Sequence, residues 1–166
     1  MIPQPEAIRR VLEDHALLSN EVAAADDPRK PYRVNEGPLG DFCDSLHDLV
    51  AHVLMWDEVS LAVLTDARNA RAHWSLDQRW ETREAGLMLN QSGVAAGREL
   101  PTDLLLHRYA SVRDTLVHEL GLDDWDDHVN LELAERHSFG SLAEYVMTVP
   151  NSTPFWHAAI HLGVVR

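Results

Sequence analysis

The stretch TPFWHAAIHLG at 153–163 sets His157 and His161 four residues apart in apolar surroundings. On a helix, positions i and i+4 share a face. Neutral imidazole is the commonest side-chain ligand for transition metals. Two imidazoles on one helix supply two of the three protein ligands of an open catalytic site. The same pair also reads as two ordinary members of a set of ten histidines, exposed or hydrogen-bonded. The choice turns on whether a third ligand reaches them from another helix.

His52 is the candidate. In LVAHVLMWDE it falls in register with Leu49, Val53 and Trp56, on an apolar stripe where an imidazole needs a polar partner or a metal. Asp48, one turn earlier, stands either to orient His52 as a hydrogen-bonded carboxylate or to face solvent. His47 lies about 140° around the helix from His52 and cannot share an ion with it. His15 sits on the inward stripe of the first helix and can line a cavity. A zinc-protease reading fails, because that motif needs Glu directly after its first His and Ala158 occupies the position. Trp56, Phe155 and Trp156 are the expected pocket walls, with Trp74 and Trp80 as further walls if the cavity only binds a ligand.

The elements that must position these residues are helical. Residues 5–24 carry Ile8, Val11, Leu12, His15, Leu18 and Val22 on one stripe, with Glu13 and Asp14 mostly opposite. After a Pro/Gly-rich loop, a second helix is predicted over 41–68, with Asp41 as its N-cap. Residues 69–99 read as a long crossover holding one helix. A third main helix starts at Thr102, a candidate cap, and stops at Gly121, a natural residue to follow a helix end. The acidic loop 123–128 lacks the glycine and closing glutamate of an EF-hand. SLAE at 141–144 reads as a capping box of Ser141 and Glu144. A last helix is predicted from a cap at Ser152 or Thr153, with Pro154 in its first turn, to about Val165. No stretch alternates convincingly as a strand. The expected fold is all-α: a single domain over 1–166, a four-helix bundle with short accessory helices in the crossover and before the last helix.

A histidine four residues before a tryptophan in the second helix, with WHAAIHLG in the last, resembles the DinB/YfiT-like superfamily. That resemblance implies a small helical bundle with a divalent ion (Zn, Ni or Fe) held by His52, His157 and His161. It also implies activities such as mycothiol- or bacillithiol-dependent S-transfer and mycothiol-dependent maleylpyruvate isomerisation. There the metal would bind the thiol as thiolate. The arginine-rich composition favours mycothiol as cosubstrate. LAEYVMTVPNSTPFWHAAI also resembles the ClbS/DfsB branch, which includes a self-resistance hydrolase. By that resemblance Tyr145, Asn151 and Thr153 match, while Phe155-Trp156-His157 departs from the branch's pattern.

Composition sets outer limits. The formal charge of −13 argues against nucleic acid, whose phosphates demand basic surface, and against an anionic membrane surface. No segment approaches a membrane span, and the N-terminus does not resemble a signal peptide, so a cytoplasmic protein acting on a small molecule is expected. The one cysteine, Cys43, reads as a buried filler. Leu104-Leu105-Leu106 offers more apolar surface than one stripe needs, which suits a homodimer.

Overall fold

The computed structural model describes residues 1–34, 37–39, 42–129 and 138–165. Four long helices run α1 (Gln4–Ala24), α2 (Leu46–Arg68), α3 (Arg83–Arg98) and α4 (Thr102–Leu120), followed by two short ones, α5 (Phe139–Val146) and α6 (His157–His161). Two single-turn 3-10 segments, Trp74–Leu76 and Gln78–Trp80, lead into α3. The only paired strands among the described residues are β1 (Arg33–Val34) and β2 (Gly37–Pro38), antiparallel and two residues each. The protein is all-helical in class, as expected. No described helix is long and apolar enough to cross a membrane.

α2 is the central element. It packs chiefly on α4 and α3, while α1 packs on α4 and α6. Its start lies later than the sequence reading: Ser45 is the N-cap, and its hydroxyl accepts from the Asp48 N–H at 3.1 Å. The expected cap Asp41 lies outside the described residues. Thr102 does not cap α4, since Pro101 holds that position without a side-chain bond, and the Thr102 hydroxyl pairs with His47 Nδ1 at 3.0 Å instead. Ser138, not Ser141, caps α5. Glu144 turns away from that cap and accepts from the Ile2 N–H at 3.0 Å. Gly121 ends α4 in a right-handed conformation, its N–H bonded to the carbonyls of Val117 and His118, so it is not used for left-handed freedom.

The last helix differs most. It was expected to run from about residue 152 to 165, yet α6 spans only His157–His161. Phe155, at φ +65°, breaks the helical path. A bulky residue there is held in place only by its surroundings. Its N–H bonds to the Met147 carbonyl at 3.0 Å and its ring is buried. Gly163, at φ +70°, terminates the turn. The fourth long rod is therefore α3 and not the C-terminal helix.

The core is divided by charge. One apolar cluster holds Val11, Leu116, Leu120, Phe139 and Phe155, and the other holds Leu18, Leu49, Val53, Leu105 and Tyr109. Between them, on α1, α2 and α4, lie Asp14, Asp57 and Arg113, all buried. Asp14 thus faces inward, against the expectation that it lies opposite the stripe, whereas Leu12 is exposed.

α2 and α3 approach closely at Gly97. A methyl group placed there would lie 2.2 Å from the Ala51 Cβ. Gly97→Ala is therefore expected to lower stability by about 1–3 kcal/mol through overpacking, after the ~1 kcal/mol it gains in helix propensity. Urea unfolding measures this, and an unchanged midpoint would mean the two helices have room to part.

Candidate metal centre

The three histidines converge. His52 Nε2 lies 3.0 Å from His157 Nε2 and 3.1 Å from His161 Nε2. One ligand atom from each of the three residues falls within 4.8 Å of the others. Two imidazole nitrogens bound to one tetrahedral zinc stand about 3.3 Å apart, given Zn–N distances of 2.0–2.1 Å. The trio is close to that spacing as folded.

Two elements place the three rings: α2 carries His52, and α6 carries His157 and His161. His52 is mid-α2, 2% exposed, with the Phe42 ring packed on it at 4.6 Å between centroids. His161 Nδ1 faces the Leu39 carbonyl at 2.8 Å. A carbonyl only accepts, so that nitrogen carries the proton, and the Nε2 of neutral His161 presents its lone pair to the centre. His157 opens α6, whose first N–H groups are tied down by Asp14: Oδ1 accepts from Ala159 at 2.8 Å and Oδ2 from Ala158 at 3.2 Å. Asp14 Oδ2 also takes Arg113 Nη2 at 3.0 Å, and Arg113 Nε donates to Asp57. A buried charged layer therefore fixes the turn that carries two of the three imidazoles.

The donor set fits a cation better than it fits itself. Burial drives all three imidazoles below their ordinary value, His52 to about 3; the His161 ring further disfavours charge on His52, and both other rings disfavour it on His157. One proton on His52 Nε2 can serve one of its two short contacts well, but not both, whereas a metal ion serves three lone pairs at once. His52 Nδ1 is buried with no hydrogen-bond partner among the described residues.

Acid should therefore loosen the fold. Below about pH 6.5 the unfolded chain protonates these histidines while the folded chain keeps them neutral, so stability falls with pH at about 1.4 kcal/mol per unit per group. Asp57 works the other way, because burial pushes its carboxyl up to about 6 against the pull of Arg113. Chelator-treated protein is expected to lose stability as the pH falls from about 6 to about 4, because three imidazoles held below their ordinary value outnumber the one raised carboxyl that opposes them. Urea unfolding across that range checks it; a flat profile would mean the trio is not held neutral.

The trio lies in the wall of a cleft of about 720 Å³ that Trp56, Phe155, Tyr145, Trp74 and Trp80 also line. Trp56 is anchored by its Nε1–H, which donates to Asn90 at 2.7 Å. Tyr145 donates its hydroxyl to Glu81 at 2.5 Å. Three expected placements are corrected. Trp156 is the N-cap of α6 and does not line the cleft. His15 packs edge-on against Tyr109 and does not line it either. Asp48 neither orients His52 nor faces solvent. It is buried, pairs with Arg98 at 2.8 Å and 3.0 Å, and accepts from the Asp44 N–H. His47 is a structural histidine, with Nε2 against the Gly97 carbonyl at 2.9 Å. Burial pushes the Cys43 thiol up to about 12, which suits a filler.

Sequence reasoning missed Asp14, Asp57 and Arg113. The available signal was register: Ala7, Val11, Asp14, Leu18 and Val22 form one buried line, as do Leu105, Tyr109, Arg113, Leu116 and Leu120. No family model, curated protein or solved structure matches the chain.

Proposed function

We propose that this chain is a DinB-like four-helix-bundle protein that holds one divalent ion through Nε2 of His52, His157 and His161. In this reading it acts on a small electrophile, with a low-molecular-weight thiol of the mycothiol type as cosubstrate. One observation carries the reading: three neutral imidazoles from two separate elements meet at the wall of a cleft. A bound ion would supply Lewis-acid chemistry, holding a thiol or water in its deprotonated form near neutral pH. The chain's own residues do the rest. The Leu39 carbonyl fixes the tautomer of His161. Asp14 and Arg113 hold the α6 turn. Trp56 and Phe155 exclude water and pack the organic part of the substrate.

Purified protein should carry, or take up on titration, one equivalent of zinc, nickel or iron, read by elemental mass spectrometry and calorimetry. Protein that binds none ends this reading. Two alternatives have their own support. The pairing of Tyr145 with Glu81 in the cleft suits a ClbS/DfsB-like hydrolase, whose activity would survive EDTA. The largely aromatic wall suits a passive binding protein, whose ligand would quench tryptophan without turnover. The partner in all three is a small molecule. A homodimer through the α4 face bearing exposed Leu104 belongs to the same proposal.

A further inference from the structure

The 3-10 segments contribute two exposed indoles to the cleft, and a carboxylate follows the second of them in the chain. Trp74 and Trp80 meet at 4.7 Å between ring centroids and 65° between planes. They are 44% and 41% exposed, and Tyr145 is 50% exposed. Glu81 directly follows Trp80 and accepts the Tyr145 hydroxyl. All four residues line the cleft. Large aromatic side chains left this exposed, edge-to-face, are costly for a fold that has core to offer them.

Two rings inclined at 65° to each other, with a carboxylate on the residue that follows one of them, offer π-faces and a negative charge to the same cleft. That is the chemistry of ammonium recognition: the ring quadrupole attracts a cation, and methylated nitrogens pack on it without losing hydrogen bonds. Among the described residues, no cation of the chain itself stacks on the two indole faces. The two guanidinium–ring contacts among the described residues lie elsewhere, Arg68 on Phe139 and Arg113 on Tyr109. Arg83 stands at the same rim, exposed, and opposes a cation there. The net charge of −13 favours the approach of cations to the molecule as a whole.

The geometry points to a cation subsite: Trp74, Trp80, Tyr145 and Glu81 bind an ammonium group of the substrate in the cleft. The inference rests on reading this cleft as the substrate site. It assigns the substrate a cationic nitrogen, methylated or primary.

The test compares choline with its neutral isostere 3,3-dimethylbutan-1-ol by tryptophan fluorescence. It is run on zinc-supplemented protein and again on chelator-treated protein, so that failure of the metal reading leaves this result standing. Choline is expected to bind at least roughly tenfold more tightly than the isostere, as two exposed cation–π contacts and one carboxylate allow. W80A and E81Q should abolish that preference, and R83Q should leave or increase it. Equal binding of the two probes, no saturable binding of choline, a preference that survives both W80A and E81Q, or its loss in R83Q would each overturn the proposal. Trp80, Glu81 and Arg83 are exposed, so these variants should fold. Circular dichroism confirms that they do.

Discussion

His157→Ala should lower the affinity for zinc by more than 100-fold while the helices stay folded. Loss of a residue that merely orients a metal ligand costs 10- to 100-fold, and His157 would be a ligand itself. Three protein donors are the minimum seen in open catalytic zinc sites, so two remaining imidazoles leave a weak, exchangeable site. Its removal does not threaten the fold, because the ring borders a cleft and, among the described residues, its Nε2 hydrogen-bond contact is with another imidazole. Thermal melting makes the contrast visible. Metal at a thousandfold excess over its dissociation constant stabilises the wild type by about 4 kcal/mol, a shift His157→Ala should lose. His47→Ala is the control: it leaves the Gly97 carbonyl and the Thr102 hydroxyl without their buried partner. It should cost about 1–3 kcal/mol and leave zinc affinity unchanged. Equal zinc affinity in wild type and His157→Ala, or loss of binding in His47→Ala, would place the metal elsewhere.

How far the sequence reveals this centre follows from what helical periodicity encodes. Spacing of four placed His157 and His161 on one face, and register with Leu49 and Val53 turned His52 inward. Both inferences need only local geometry, and both survive even though α6 is a five-residue turn. The length of that turn was not legible, because Phe155 adopts a left-handed conformation that nothing in TPFWHAAIHLG signals. It is imposed by the ring's burial and by the Met147 carbonyl, contacts made only in the folded chain. Asp48 shows the same limit. Its spacing from His52 is right for a hydrogen bond, but Arg98, fifty residues later, captures it. Caps differ by a few residues for a similar reason: Ser45 and Ser138 are as good acceptors by type as Asp41 and Ser141, and only the path of the loop decides which one meets the helix end. The charged layer is not legible in the periodicity, because Asp and Arg ordinarily mark the wet face of a helix. Asp14, Asp57 and Arg113 sit at apolar register positions on three different helices, and only their meeting makes each one tolerable.

That meeting gives the second large effect. Arg113→Met should cost about 3–5 kcal/mol, the penalty for stranding buried charge, or roughly 10 °C in Tm for a chain of this size. Arg113 donates to Asp57, to Asp14 and to the Val11 carbonyl at 3.1 Å, and all three side chains are buried. Methionine fills much of the same space, so the loss reports two carboxylates without a cation more than a void. Two consequences separate this from ordinary core damage. The deficit against wild type should shrink as pH falls from 7 to 5. Asp57 already has its carboxyl raised by burial, and without Arg113 it rises further. The folded variant then takes up a proton that the unfolded chain, near its ordinary value of about 4, does not. Zinc affinity should also drop about 10- to 100-fold, because Asp14, released by Arg113, holds the Ala158 and Ala159 N–H groups that aim His157. Replacing all three charges together, as Arg113→Met with Asp14→Asn and Asp57→Leu, should recover most of the stability, since an apolar layer of similar volume is no worse than a buried ion network. Asparagine still offers one side-chain oxygen to the α6 N–H groups, so zinc affinity should recover in part. Urea unfolding at pH 7 and 5 with parallel zinc titrations reads every one of these quantities. A deficit that is pH-independent, with zinc affinity untouched, would separate the charged layer from the metal centre.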